Sequence, residues 1–253
     1  MTGLAFETIR YAVEGRVGVI DYDRQDRRNA WNLPMYREIV AAVEAANADP
    51  AVAAIVFTNE GPVFCAGTDL KASPEPRDAV TGRRPNVATE AMALDRSWLH
   101  LLARSKPSIG AIRGRAIGLG VTQILPFDVR IGGESSRYAF PFLRLGTMPE
   151  LGSTALLPQL VGYGRALHLC LTSAEIGALE AERIGLISEA VPDDRVLARA
   201  LEIGEQIAAY PALPLGQTRD LLAANFAERD LNTVLGREIE AFLAMFRAAR
   251  NER

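Results

Sequence analysis

Arg113-Gly114-Arg115-Ala116-Ile117-Gly118-Leu119-Gly120 is the stretch on which the fold turns. The apolar run ahead of it, Pro107-Ser108-Ile109-Gly110-Ala111-Ile112, reads as a buried strand. The glycines behind it demand a tight turn into a short helix that ends near Pro126. Upstream the same grammar occurs a first time. Ala54-Ile55-Val56-Phe57-Thr58 is β-like and runs toward Phe64-Cys65-Ala66-Gly67-Thr68-Asp69-Leu70. A glycine at such a turn lets the backbone approach a ligand and aim the next N–H into a cleft. Two such N–H groups converging on one point would make an oxyanion hole, which stabilises a carbonyl oxygen as it becomes negative. Either turn alone is a weak signal, because glycine-rich strand-to-helix turns occur in many α/β proteins.

Outward from these turns, strand-like and helix-like segments alternate. Val17 to Asp21 reads as a strand, and Pro34 to Ala48 as a helix with apolar Ile39, Val40 and Val43, ended by Asp49-Pro50. The 52–58 strand leads to a helix near 89–104, the 107–113 strand to the short helix, and Asp128 to Ile131 opens another strand. Periodicity alone suits either a repeated β-β-α unit or a doubly wound sheet. Beyond residue 175 the pattern is helical. Pro211 and Pro214 read as breaks, and Leu221 to Ala249 as one or two amphipathic helices whose apolar stripe needs a partner. The 72–90 stretch, with Pro74, Pro76, Gly82 and Pro85, reads as a surface loop.

Composition sets outer bounds. The 253 residues suffice for one large domain with a helical appendage, and a net charge of −3 argues against broad binding to nucleic acid or an anionic membrane. Two cysteines, Cys65 and Cys170, are too few for a disulfide framework or a thiolate metal cluster. No His/Cys/Asp cluster has metal-ligand spacing, and the glycine spacing fits neither a phosphate loop nor a dinucleotide fingerprint. With no bilayer-length apolar run and no signal-peptide pattern, a cytoplasmic protein is expected.

The two turns, in this order and spacing, resemble those of the crotonase (enoyl-CoA hydratase/isomerase) superfamily. Matching segments continue through Arg24-Gln25-Asp26-Arg27-Arg28-Asn29-Ala30, Lys106 to Asp128, Leu145 to Ser153, Leu160-Val161-Gly162 and Ala181 to Pro192. The resemblance implies an α/β fold, a crotonase-like spiral of repeated β-β-α units with a C-terminal helical region. On that basis residues 1–192 form the acyl-CoA-binding core and 193–253 the part that covers the site and builds a homotrimer or dimer of trimers. It also implies an acyl-CoA thioester as partner, with coenzyme A carried by the substrate and no separate cofactor. The oxyanion donors would be the backbone N–H groups of Thr68 and Leu119. Arg28, Ala66, Asp69, Leu70 and Lys71 would face coenzyme A, and Trp98, Phe142 and Met148 the acyl group.

The carboxylates depart from the hydratase pattern. Hydratases of this superfamily use two glutamates, and their positions hold Thr122 and Phe142 here. Neither can exchange a proton usefully near neutral pH. Glu150, in Met148-Pro149-Glu150-Leu151-Gly152-Ser153, is the carboxylate left in the neighbourhood. Some isomerases of the superfamily carry their catalytic glutamate at that position. A plain structural role is the alternative, since Pro-Glu often opens a helix and the acid offsets its dipole. One carboxylate can take a proton and return it elsewhere, so a βγ-to-αβ double-bond shift is the expected reaction. Hydration through Glu150 and an ordered water, and a non-catalytic acyl-CoA binder, are the alternatives. His100, His168 and Ser153 have no partner at suggestive spacing and read as structural, as does Asp128.

Overall fold

Successive strands of this chain go to two different sheets, which is what separates a spiral from a doubly wound sheet. The computed structural model describes residues 5–72, 87–92 and 97–251. It opens with an antiparallel hairpin of β1 (Ile9–Glu14) and β2 (Val17–Tyr22). α1 (Leu33–Ala48) follows, started by Asn32, whose side chain accepts from the Met35 amide at 3.0 Å. Its apolar face, including Ile39, Ala42, Val43 and Ala46, is buried. Lys106 Nζ donates to the Ala46 carbonyl at 2.8 Å and sets a positive charge at the negative end of this helix.

The spiral then takes three turns. β3 (Ala54–Asn59), β5 (Ser108–Ile112) and β7 (Val129–Gly133) enter a large sheet. The strand after each, β4 (Val63–Cys65), β6 (Arg115–Ile117) and β8 (Arg137–Ala139), enters a small one. α2 (Val87–Ala91) and α3 (Trp98–Ala103) follow the first pair, and α4 (Leu119–Thr122) the second. α5 (Ser153–Val161) and α6 (Tyr163–Thr172) follow the third. β9 (Glu175–Gly177), α7 (Ala178–Arg183) and β10 (Glu189–Val191) close both sheets, in the orders β1-β2-β3-β5-β7-β10 and β4-β6-β8-β9. Among the described residues, only the β1–β2 and β8–β9 strand pairs are antiparallel. Every residue of β3 and β5 is buried, as a strand covered on both faces requires.

The core is aromatic where α3 meets the large sheet. The Trp98 ring lies edge-on to Trp31 at 5.2 Å and to Phe57 at 5.7 Å, and Phe57 stacks on Phe127 at 4.7 Å. A register shift between Val63 and Cys65 sets the pairing Cys65↔Ala116, which brings the C-terminal ends of β4 and β6 side by side.

The chain divides into two compact units, Met1–Glu205 and Gln206–Arg253, the boundary falling inside α8 (Val196–Ala208). The second unit holds α9 (Ala212–Asn225) and α10 (Leu231–Asn251). Pro214 does not break the helix as the sequence suggests. It lies in the first turn of α9, where a backbone N–H has no intrahelical acceptor to lose. The helix expected near 89–104 is seen as α2 and α3, and most of the 72–90 loop lies outside the described residues.

Candidate active site

The first turn leaves β4 at Cys65 and is held on one side by Trp31. The Trp31 amide donates to the Gly67 carbonyl at 2.8 Å, and the Asp69 amide donates to the Trp31 carbonyl at 2.9 Å. That is a parallel bridge opposite Thr68, so the Thr68 N–H points away from Trp31, toward the edge on which β6 pairs with β4. Gly67 has φ +102°, and a methyl group there would lie 3.0 Å from the Ile117 carbonyl oxygen and 3.6 Å from the Leu119 amide nitrogen. The first turn is therefore seated directly on the second.

The second turn begins at Gly118, with φ +58° and ψ −122°, a conformation reserved for glycine. Its own amide donates to the Ala139 carbonyl at 3.0 Å, which ties the turn to β8. Leu119 is then the first residue of α4, where an N–H has no carbonyl behind it. Among the described residues, neither the Thr68 nor the Leu119 amide has a hydrogen-bond partner. Gly120 is needed for space: a methyl group there would sit 2.1 Å from the Cys65 carbonyl oxygen.

Glu150 reaches this place from a distant segment. Leu151 and Gly152 adopt left-handed backbone, at φ 52° and 71°, and α5 starts only at Ser153. Glu150 thus precedes the helix rather than opening it, and its side chain folds back onto α4. Thr122 Oγ1 donates to Glu150 Oε1 at 3.0 Å, one helical turn from the Leu119 amide. Burial pushes the Glu150 carboxyl above its ordinary range, and the Thr122 hydrogen bond pulls partly against that shift. The desolvated carboxyl and the two amides make a site suited to moving a proton beside a carbonyl whose oxygen becomes negative.

The other sequence-derived positions separate into groups. Arg28, Leu70 and Lys71 are exposed and Ala66 is half-buried, all on the rim of the first turn. The Ala66 amide donates to the Arg28 carbonyl at 3.1 Å. Asp69 is committed to Arg24, with an Arg24 Nη2–Asp69 Oδ2 distance of 2.8 Å, and it accepts from the Lys71 amide at 2.9 Å. Burial pushes the Asp69 carboxyl up, but Arg24 and the amide together hold it below its usual range. Arg24 is therefore spent on the loop, whereas Arg28 has no ion-pair partner among the described residues. Phe142 is 4% exposed beside the turn before Glu150, and Met148 is 76% exposed. Trp98 corrects an expectation: it is fully buried, and its Nε1 donates to the Gln123 carbonyl at 2.8 Å, so it packs the core instead of facing an acyl group.

Two roles were not read from the sequence. Asn29 is fully buried, accepts from the Arg24 amide at 2.9 Å and donates to the Val63 carbonyl at 3.0 Å, clamping its loop to β4. Its position in the Arg-Asn-Ala segment was the signal available. Thr122 reads in sequence only as a lost carboxylate, and its contact with Glu150 needed the fold. Asp128 takes the structural place expected, accepting from the Ser108 amide at 2.7 Å.

A β-β-α spiral with two abutting glycine turns and a desolvated carboxyl has the fold of the crotonase superfamily. Comparison with known proteins agrees. The sequence matches the profile of the enoyl-CoA hydratase/isomerase family over residues 12–252. It is 39% identical over 208 residues to enoyl-CoA hydratase ACTT3 of Alternaria alternata, covering 81% of this chain and 68% of that protein. An enoyl-CoA hydratase from Bacillus anthracis superposes with a TM-score of 0.81 at 26% identity, covering 98% of this chain and 97% of that one. A Thermobifida fusca YX protein solved in complex with CoA gives 0.81 at 32% identity, covering 96% and 95%. The chain belongs to the enoyl-CoA hydratase/isomerase family and is an enzyme of that type.

Proposed function

We propose that this enzyme shifts the double bond of an acyl-CoA thioester from βγ to αβ, with Glu150 as the proton shuttle. The observation that carries this reading is the Glu150 carboxyl, desolvated and hydrogen-bonded at 3.0 Å to Thr122 within one helical turn of the Leu119 amide. In the forward step Glu150 takes a proton from the α-carbon. The C–H pair passes into a dienolate, whose oxygen is held by the Thr68 and Leu119 amides. Glu150 then returns the proton to the γ-carbon, and the double bond is left between the α and β carbons. Removing one oxyanion donor of this kind typically costs about 2.7–4 kcal/mol of transition-state stabilisation.

Binding would use the exposed rim. Arg28 and Lys71 suit the phosphates of coenzyme A, and Ala66 and Leu70 its adenine side. Asp69 acts there through Arg24, as a brace for the loop. Phe142 and Met148 supply apolar surface for the acyl chain. The CoA complex of the Thermobifida fusca YX relative supports a CoA thioester as ligand.

Hydration is the second reading, favoured by the naming of the Alternaria alternata relative as a hydratase. It needs a group to activate water and a proton source for the α-carbon. Thr122 and Phe142 supply neither, so Glu150 would have to serve both ends of the addition. Incubation with 3-enoyl-CoA and, separately, 2-enoyl-CoA decides between them. Isomerisation gives 2-enoyl-CoA from the first substrate and, in deuterated water, label at the α-carbon or γ-carbon. Hydration of 2-enoyl-CoA with no conversion of 3-enoyl-CoA would overturn the proposed reaction and leave the family assignment standing.

A further inference from the structure

The Thr122 hydroxyl has one proton and two acceptors within reach. Glu150 Oε1 lies at 3.0 Å and the Leu119 carbonyl oxygen, in the same helix, at 3.3 Å. Thr122 is fully buried, so its partners come from the protein. A hydroxyl donates once, accepts through its lone pairs, and rotates about its C–O bond to suit its neighbours. Facing the ionised Glu150, it donates to the carboxylate. Once Glu150 has gained a proton, the carboxylic acid is itself a donor. The hydroxyl can then accept from it and turn its own proton to the Leu119 carbonyl.

We propose that Thr122 is a positioning residue that serves Glu150 in both protonation states, as donor to the base and acceptor from the acid. The proposal rests on the reading of Glu150 as the proton shuttle. The bonds balance without a second proton transfer. When Glu150 deprotonates the α-carbon, a C–H bond breaks, an O–H bond forms on Glu150, and the electron pair enters the dienolate. When the proton is returned, that O–H bond breaks and the γ-carbon gains a C–H bond. The Thr122 proton stays on its own oxygen throughout and only changes direction. A residue with a fixed donor, such as lysine, would favour the carboxylate and oppose uptake of the proton. One with no polar group would leave the acid form without this acceptor.

The same geometry ties proton uptake to the oxyanion donor. Leu119 contributes its carbonyl to the hydroxyl and its amide to the substrate oxygen, so one residue fixes both ends of the reacting unit. Among the described residues, the titratable group that feels the Glu150 charge is Cys65 on β4, whose thiol burial pushes up to about 12, leaving it neutral across the working range.

The test compares Thr122→Val, Thr122→Ser and Glu150→Gln, following kcat, KM and α-deuterium exchange of the thioester from about pH 5 to about pH 9. Valine keeps the shape of threonine and removes the hydroxyl. It should lower kcat by roughly ten- to a hundredfold with little change in KM. It should also move the rising limb of the kcat profile to higher pH, because the bond lost to the charged carboxylate is stronger than the one lost to the neutral acid. Serine should restore both. Should the valine protein not fold, Thr122→Ala carries the same test. A valine variant with the native kcat and pH profile, while Glu150→Gln silences exchange, would remove Thr122 from the mechanism and leave Glu150 in it. Exchange that survives in Glu150→Gln would overturn the shuttle and this proposal with it.

Discussion

A carboxyl that works as a base near neutral pH has to be held where water solvates it poorly, and at Glu150 that arrangement weighs against stability. Its folded pKa is raised by burial, with Thr122 pulling back only partly. Between the unfolded and folded values the native state keeps a proton that the unfolded chain releases. Stability therefore falls as pH rises through that window, and the loss persists above it. Glu150→Gln removes the ionisation and keeps the shape. At pH 8 the variant should melt at the same temperature as the native protein or higher, the difference shrinking as pH is lowered toward the ordinary glutamate range. Its turnover should drop by at least the ~10²-fold typical of a lost general base. Thermal melts at several pH values check this, and a variant less stable at pH 8 would return Glu150 to a structural role. Much of this residue's setting was legible in sequence: Thr122 and Phe142 in place of glutamates, and Glu150 in a segment of apolar neighbours. Its link to Thr122 was not, because 28 positions separate them and the two left-handed residues after Glu150 aim its side chain. Leu151, one of those two, is not a residue type that announces positive φ.

At the scale of elements, the site depends on how closely two short turns can be seated. β4 and β6 have three residues each, and α4 has four, too few for periodicity to register. The glycines marked the turns, but the strands feeding them had to be seen in the small sheet, since a three-residue strand has no pattern of its own. The longer, mostly apolar β3 and β5 were legible for the opposite reason. Seating is limited by Gly120, where an added methyl group would meet the Cys65 backbone oxygen at 2.1 Å, an atom that no side-chain rotation can move. Gly120→Ala should therefore push the two turns apart. A stability loss of about 1–3 kcal/mol is expected from overpacking. The fall in kcat should exceed what that loss explains, approaching the ~10²-fold seen when an oxyanion donor is misplaced. Gly164→Ala serves as the control. It lies in α6 with open space around it, so alanine there should raise helix stability by a few tenths to about 1 kcal/mol and leave kcat alone. A Gly120→Ala protein whose kcat falls no further than that of Gly164→Ala would show that the amides are not set by Gly120.

The molecule as a whole carries more apolar surface than its site uses. In the second unit, α10 presents Leu231, Leu235, Ile239, Phe242 and Phe246, each more than half exposed in the single chain. Their spacing of three and four residues sets them on one stripe, and Phe242 and Phe246 meet edge to face at 4.7 Å. In the first unit, Tyr163, Leu171 and Leu179 on α6 and α7 are exposed by 63% or more. A monomer in water rarely leaves contiguous apolar patches larger than a few hundred Å². Among the described residues no helix is long and apolar enough to cross a bilayer. We propose that copies of this chain cover these faces for one another, as a homotrimer or a dimer of trimers. A closed ring repeats one contact around its axis, so each chain gives one face and receives another, which one apolar face on each unit would satisfy. Sedimentation velocity at micromolar concentration should then return three or six chain masses. Phe242→Glu with Phe246→Glu should shift the distribution toward smaller species, because burying two unpaired carboxylates costs several kcal/mol per contact. A native protein that sediments as a single monomeric species would refute the assembly, and the double variant would then show no change in mass at all.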